Sequence, residues 1–314
     1  MRVLITGSGG MLGSAVYPAF VRAGHDVTAT DLVPRPAPGA PMGQLDVRDY
    51  AAVRTSAVDL RPDLILHLAA ETDLERCETD QDHAYLTNAL GTQNVALVAA
   101  ELGVPLVYIS TAGIFDGLKN GPYTEFDRPN PINIYGGSKY EGELIVKQLV
   151  AHHFIVRAGW MIGGRERDHK FVAKILDQLK GGTRTIYAVT DKLGTPTYTE
   201  DFANNLLALV ATPFYGVYHM TCEGSGSRFD VAKAILKYFG RTDVEVVAVG
   251  SDHFAETYFA PRPYSEMMRN YALELRGLNL MRPWPVALAA YLDQAGFSQE
   301  RLPGADSAEL SGNI

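Results

Sequence analysis

Tyr135 stands four residues ahead of Lys139 in the stretch YGGSKYEGE at 135–143. On a helix, that spacing puts a phenol and an ammonium on one face. A free phenol, with a pKa of about 10, exchanges protons poorly at neutral pH. An ammonium beside it favours the phenolate and lowers that pKa. The expected chemistry is proton exchange with a carbonyl or alcohol oxygen. With 16 tyrosines in 314 residues, such a pair is specific only if its surroundings agree.

A second candidate lies near the N-terminus. GSGGMLG at 7–13 follows a short apolar run, RVLIT, and opens a helical pattern. A strand-to-helix turn of this kind needs positive φ, bare backbone for a pyrophosphate to approach, and close helix–strand packing. Gly7, Gly10 and Gly13 meet those needs, and the helix N-terminus offers free N–H groups to phosphates. Asp31 ends the next expected strand, where a carboxylate accepts from the adenosine ribose hydroxyls and repels a 2′-phosphate. Loop and acid together predict NAD or NADP, with NAD favoured. Arg35, close by in sequence, keeps NADP open. With a dinucleotide present, Lys139 can also reach the nicotinamide ribose. Ser110 and Thr111 end an expected strand and are candidates for holding the substrate oxygen.

The elements that must position these residues alternate. Strands are expected at 2–6, 26–30, 64–68, 105–110 and 154–158, and helices at 12–23, 50–61, 82–102 and 136–151. In the long helix, residues 86, 90, 97 and 98 are the apolar positions. Residues 34–43, rich in Pro and Gly, read as a loop. Strands that are apolar throughout, with helices between them, predict an α/β fold built on a doubly wound parallel (Rossmann) sheet. Beyond residue 160 the rhythm loosens. Helices are expected near 170–180, 201–211 and 229–239, strands at 185–189, 217–221 and 245–249, and proline-rich turns last. The expected division is a dinucleotide-binding domain at 1–165, also drawing on 191–221. A smaller C-terminal substrate-binding lobe takes 166–190 and 222–297, and 298–314 is a frayed tail.

Composition removes other classes. Net charge is −8 and no basic run occurs, which argues against nucleic acid as a partner. No apolar stretch reaches the roughly 18 residues that span a bilayer, so no membrane partner is expected. The N-terminus lacks signal-peptide character. Cys77 and Cys222 form no CxxC, and a reducing, cytoplasmic location follows. No metal site is expected, since the histidines lack ligand spacing and the adjacent His152 and His153 point apart on a helix. The charge run GRERDHK at 164–170 reads as a solvated loop.

With these motifs assembled, the chain resembles the extended short-chain dehydrogenase/reductases, and within them the dTDP-4-dehydrorhamnose reductases. The likeness runs from residue 2 to about 292. It is carried by GSGGMLG, LDVRD at 45–49, HLAA at 67–70, LTNALGTQNVA at 86–96, STAGIFDG at 110–117 and PINIYGGSKYEGE at 131–143. VRAGW at 156–160, DKLGTPTY at 191–198, GVYHM at 216–220 and APRP at 260–263 continue it. The resemblance implies a catalytic trio of Thr111, Tyr135 and Lys139. It implies cofactor contacts from Gly7, Gly10, Met11, Leu12, Gly13, Asp31, Asp46, Val47, Leu68, Ala69 and Ala70. It implies substrate contacts from Thr72, Leu74, Thr111, Ala112, Trp160 and Arg262, although Trp160 also reads as a core tryptophan.

The implied reaction reduces the C4 keto group of a nucleotide-linked 4-keto-6-deoxy sugar, with hydride from NAD(P)H and a proton from Tyr135. The implied partner is that nucleotide sugar; a homodimer is left open. Two departures fall where the sugar belongs. Ala112-Gly113 replaces the family's usual Asp-Tyr, and Arg262-Pro263-Tyr264-Ser265-Glu266 replaces Arg-Pro-x-Asn-Ser. A 4,6-dehydratase would carry Asp-Glu after the threonine, and Ala112-Gly113 cannot do that acid–base work. A sugar-nucleotide epimerase, and a non-catalytic NAD(P)-binding regulatory subunit, are the competing readings.

Overall fold

Val3 and Ile5 point to one face of a sheet and Leu4 to the other, and all three are buried. That alternation, repeated strand by strand, builds the molecule on two apolar layers. The computed structural model describes residues 1–35 and 41–294. Residues 36–40 of the expected loop and the expected tail at 298–314 lie outside the described residues.

In chain order the first half gives β1 (Arg2–Thr6), α1 (Gly13–Arg22), β2 (Asp26–Asp31), β3 (Met42–Gln44), α2 (Tyr50–Leu60) and β4 (Leu64–His67). It continues with α3 (Leu74–Thr79), α4 (Gln81–Tyr85), α5 (Gly91–Leu102), β5 (Leu106–Thr111), α6 (Ile134–Leu149) and β6 (His153–Ala158). Next come β7 (Trp160–Ile162), α7 (Phe171–Lys180), β8 (Thr185–Val189), β9 (Leu193–Gly194), β10 (Pro196–Tyr198), α8 (Thr199–Val210) and β11 (Gly216–Met220). The chain closes with β12 (Gly226–Ser227), α9 (Arg228–Tyr238), β13 (Glu245–Val249), β14 (Ser265–Glu266), α10 (Tyr271–Leu275) and α11 (Trp284–Gln294).

Seven strands form one sheet in the order β11-β6-β5-β4-β1-β2-β3, and every pairing is parallel. From β1 the chain winds outward through β2 to β3, then crosses to β4 and winds the other way. The expected doubly wound sheet is therefore present, and its switch point lies between the carboxyl ends of β1 and β4, where such sheets bind ligands. One layer packs Leu4, Ile65, Leu106, Tyr108 and Ile155 against α2, α5 and α6. The other packs Val3, Ile5, Leu66, Val107 and Val156 against α1 and α8 and runs on into α7, α9 and α11. Three small sheets, β7 with β10, β8 with β13, and β9 with β12 and β14, complete the C-terminal half.

Several elements depart from expectation. Met42–Gln44 is an edge strand, held by its ladder to β2 rather than by any apolar pattern. The helix expected over 82–102 is interrupted: Leu86–Leu90 is a π-helical stretch between α4 and α5. Leu86, Leu90 and Leu97 are exposed, and of the four apolar positions only Val98 enters the core. The inner face instead carries small and polar residues, including Asn88 and Thr92. α11 forms where proline-rich turns were expected, because Pro285 falls in its first turn, where a missing N–H costs nothing. His152 lies in the bend before β6 and His153 is the first residue of that strand, so neither is on a helix.

A buried ion pair pins α6 to the sheet. Arg157 of β6 donates through Nε and Nη2 to the two oxygens of Glu143, each at 2.8 Å, with both side chains nearly inaccessible. Burial would push the Glu143 carboxyl up, but the Arg157 hydrogen bonds and charge hold it below the usual range. Removing one partner strands the other charge. Arg157→Met is expected to lower the unfolding free energy by about 3–5 kcal/mol, read by urea denaturation. A loss under about 1 kcal/mol would show that Lys147, 3.5 Å from Glu143, replaces the arginine.

Candidate active site

The glycine loop closes on the end of β4. Gly7 has φ +72°, and a Cβ there would lie 2.4 Å from the Ala69 backbone nitrogen. A Cβ at Gly13 would lie 2.4 Å from the Ser8 carbonyl oxygen. Gly10 is different: it is exposed, and its missing side chain leaves bare backbone facing outward. This cradle fits a dinucleotide pyrophosphate. The Gly9 N–H donates to Asp31 Oδ2 at 2.8 Å, and Val33 N–H to Oδ1 at 3.1 Å, so Asp31 also ties the loop to β2. Met11 and Leu12 begin the turn into α1 and are half-buried. Leu68 N–H donates to Thr6 carbonyl, which places Ala69 and Ala70 just beyond the switch point. Asp46 is gripped by Arg48, whose hydrogen bonds hold the carboxyl below its ordinary range. Val47 is buried, and its carbonyl accepts from Asn94.

The run GRERDHK does not behave as a purely solvated loop. A Cβ at Gly164 would strike Met11 Cγ at 2.8 Å. Arg167 donates to the Arg35 carbonyl at 2.9 Å and reaches the Ser8 carbonyl at 3.5 Å. Asp168 is buried and accepts from Tyr291. The segment therefore clamps the glycine loop, through contacts that no local pattern encodes.

Thr111 is the last residue of β5, and its Oγ1 accepts from Gly113 N–H at 3.1 Å. Ser110 points the other way, buried on the Glu143 side. Asn133 caps α6 by accepting from Gly136 N–H at 2.7 Å. Its amide also donates to the Pro261 carbonyl at 2.7 Å. Tyr135 falls in the first turn and is half-buried; Lys139, one turn on, is buried. A polar chain fixes this turn: His67 contacts Thr6 and Thr92, Thr92 donates to the Asn88 carbonyl, Asn88 donates to Ser138, and Ser138 donates to the Tyr135 carbonyl. Asn88 escaped the sequence reading; its only local signal is a buried amide on the π stretch.

One electrostatic expectation is corrected. Burial pushes the Tyr135 phenol up to about 12, against a hydrogen-bond contribution from Thr111, and the Glu266 carboxylate adds to the rise. The Lys139 ammonium is not among the principal contributors. It lies 4.1 Å from the centre of the Tyr108 ring, and burial pulls its own pKa down to about 7, opposed by Glu143. Desolvation, which spacing does not reveal, outweighs the charge–charge argument.

Across from Tyr135 stands a second group. Trp160 donates its indole N–H to Glu266 Oε2 at 2.7 Å. The Arg228 guanidinium stacks 3.8 Å over the indole, and Gly194 backbone lies against it so closely that a Cβ would fall 2.2 Å from Trp160 Cε2. Half-buried and so framed, Trp160 is not a core tryptophan. Ala112 is buried beneath Gly113, which faces Glu266. Arg262 donates to Glu75 at 2.7 Å. Burial raises the Glu266 carboxyl, against the Trp160 hydrogen bond and the charges of Arg228, Arg262 and Lys192. Burial likewise lowers Arg228 to about 10 and depresses Lys170. Cations outnumber carboxylates here, which suits an anionic ligand. Thr72 is exposed and its N–H donates to Glu71; Leu74 opens α3. No hydrogen bond among the described residues ties either to the Trp160 group. Arg228, Lys170 and Lys192 were not singled out individually: Lys170 and Lys192 lie in the runs GRERDHK and DKLGTPTY, but only the fold gathers the three near Glu266.

A parallel sheet with a glycine cradle at its switch point and a Tyr–Lys helix at its carboxyl edge defines an NAD(P)-dependent oxidoreductase of the extended short-chain dehydrogenase/reductase fold. Residues 1–297 match the RmlD substrate binding domain model, and the chain belongs to that family. It is similar to a dTDP-4-dehydrorhamnose reductase of Mycobacterium tuberculosis (strain ATCC 25618 / H37Rv), 34% identical over 297 residues, 93% of this chain and 92% of the relative. A dTDP-4-keto-6-deoxy-D-glucose reductase of Streptomyces niveus is 32% identical, covering 91% of this chain and 95% of its own. The crystal structure of a Bacillus anthracis dTDP-4-dehydrorhamnose reductase in complex with NADP superposes with a TM-score of 0.84 at 33% identity, covering 93% of this chain and 99% of that one.

The lysine shift is measurable. The folded chain releases the Lys139 proton near 7, whereas an ordinary lysine keeps it to 10.5. The unfolded chain therefore binds more protons between those values, and unfolding free energy rises with pH there. From pH 7 to 8.5, below the ordinary thiol value of 9.0, the urea midpoint should rise more steeply in the wild type than in Lys139→Met. Parallel slopes would return Lys139 to an ordinary pKa.

Proposed function

We propose that this enzyme reduces the C4 keto group of a nucleotide-linked 4-keto-6-deoxy sugar. The observation that carries the reading is the placement of Thr111 and Tyr135 at the carboxyl edge of β5, beside the glycine cradle and opposite the cationic Trp160–Glu266 group. Bound NAD(P)H supplies the hydride. Thr111 holds the carbonyl oxygen, and Tyr135 gives it a proton as it becomes an alcohol. A phenol held near 12 is protonated at neutral pH, which suits an acid waiting for a carbonyl rather than a base waiting for an alcohol. Lys139 anchors the nicotinamide ribose and, when charged, favours the phenolate that remains. Gly7, Gly10, Met11, Leu12, Gly13, Asp46, Val47, Leu68, Ala69 and Ala70 line the dinucleotide. Thr72, Leu74, Ala112, Trp160 and Arg262 belong to the substrate side, with Arg228, Lys170 and Lys192 facing its phosphates.

Finer points belong to the same reading. Residues 1–165 with 191–221 serve the cofactor, and 166–190 with 222–297 serve the sugar nucleotide. Asp31 favours NADH over NADPH, and the ratio of kcat/KM for the two cofactors reads that preference. Two buried free thiols suit the cytoplasm; among the described residues no helix is long and apolar enough to cross a membrane. The exposed row of Tyr85, Leu86, Leu90 and Leu97 suits a homodimer, which sedimentation equilibrium would detect as twice the 34.2 kDa chain mass.

The deciding assay follows NAD(P)H oxidation with dTDP-4-keto-6-deoxyglucose. Stoichiometric consumption supports a reductase; unchanged cofactor with sugar isomerisation would make the enzyme an epimerase, and no reaction with any keto sugar would favour a regulatory subunit. Tyr135→Phe is expected to lower kcat by roughly 10²–10⁴-fold while leaving NAD(P)H affinity, read by fluorescence titration, unchanged. Undiminished turnover would remove Tyr135 from the chemistry.

A further inference from the structure

Glu266 has one carboxylate oxygen committed and one open. Oε2 accepts the Trp160 indole N–H at 2.7 Å. Oε1 faces Gly113: the point where a Cβ would stand at 113 lies 3.6 Å from Oε1 and 3.5 Å from Thr111 Oγ1. The two oxygens thus border one shared space, which the absent side chain of Gly113 keeps empty. Among the described residues no donor hydrogen-bonds Oε1.

The carboxylate is held rigidly. The short indole bond sets its orientation, and the indole is itself fixed between Arg228 and Gly194. β14 pairs with β9 through Glu266 and Gly194, so the backbone that carries the acid is the neighbour of the backbone that packs against the ring. Burial raises the Glu266 carboxyl, and the Trp160 bond with the charges of Arg228, Arg262 and Lys192 offsets part of that rise. An ionised carboxylate only accepts hydrogen bonds. Its open oxygen therefore selects a ligand group that donates.

We propose that Glu266 is a specificity-determining residue whose Oε1 accepts a hydrogen bond from a hydroxyl on the sugar carbon next to the carbonyl held by Thr111 and Tyr135. This rests on the reductase reading above. In a 4-keto-6-deoxyhexose the carbon beside C4 that carries a hydroxyl is C3, and neighbouring ring oxygens are close enough to engage Thr111 and Glu266 together. The arrangement admits a free C3 hydroxyl and disfavours a sugar lacking it or bearing a second carbonyl there, since either leaves a buried charged acceptor without its donor.

The test is a pair of calorimetric titrations on full-length enzyme saturated with NADH. The ligands are dTDP-6-deoxyglucose and its 3-deoxy counterpart, which have no keto group and cannot react with reduced cofactor. The wild type should bind the hydroxylated ligand on the order of 10- to 100-fold more tightly. Glu266→Ala should erase that ratio by weakening the hydroxylated ligand alone, and Glu266→Gln, which keeps the shape, should retain part of it. A wild-type ratio near one overturns the proposal. So does an equal loss of both ligands in Glu266→Ala, which would make the acid a prop for Trp160. The keto-sugar assay separates the two readings. Turnover with a ratio near one removes Glu266 alone. Absence of turnover with the ratio intact removes the reductase reading and keeps the hydroxyl contact. Failure of both ligands to bind removes both.

Discussion

α6 lies directly on β5, and the site exists because of that contact. A Cβ at Gly136 would fall 2.1 Å from the Gly113 carbonyl oxygen, and one at Gly142 would fall 2.3 Å from Tyr108 Oη. Each glycine weakens an isolated helix by about 1 kcal/mol relative to alanine. The close approach they permit brings Tyr135 and Lys139 to the end of the strand that carries Thr111. Glu143, two turns beyond Tyr135 on the same face, meets Arg157 from β6 and prevents the helix from sliding. The polar chain from His67 through Asn88 to Ser138 then fixes its first turn from the side.

Burial that makes this contact also sets the protons. Tyr135 and Lys139 both lose solvent, and both shift toward their neutral forms. The pair is thus poised as a neutral acid beside a weakly charged amine, rather than as a preformed phenolate and ammonium. A ligand that adds negative charge near Lys139 would shift its balance toward the ammonium.

The 261–266 segment is tied to the rest of the site at three separate points. Asn133 bonds the Pro261 carbonyl, Arg262 bonds Glu75, and Trp160 bonds Glu266. The bridges reach the N-cap of α6, the first turn of α3 and the start of β7. The wall around Trp160 is therefore built by the segment that also holds the α6 cap residue, so movement of one alters the geometry of the other. Arg228 and Gly194 hold the indole between them and complete that wall.

The alternation of apolar strands and helices, the glycine cradle with Asp31, and the spacing of Tyr135 and Lys139 are short-range patterns. They were legible because strand pleat, helix period and turn geometry are properties of neighbouring residues. The π stretch at 86–90, the edge strand at 42–44, the start of α11 at Trp284 and the clamp made by Arg167 were not, because each is stabilised by a partner distant in the chain. Trp160 and Glu266 are 106 residues apart, and Arg262 and Glu75 are 187 apart. The sequence by itself determined the sheet, the cofactor class and the candidate for the proton donor. Only the tertiary structure decided the protonation of that donor and the shape of the wall opposite it. Desolvation and long-range contact depend on what folding brings together, and no local spacing carries that information.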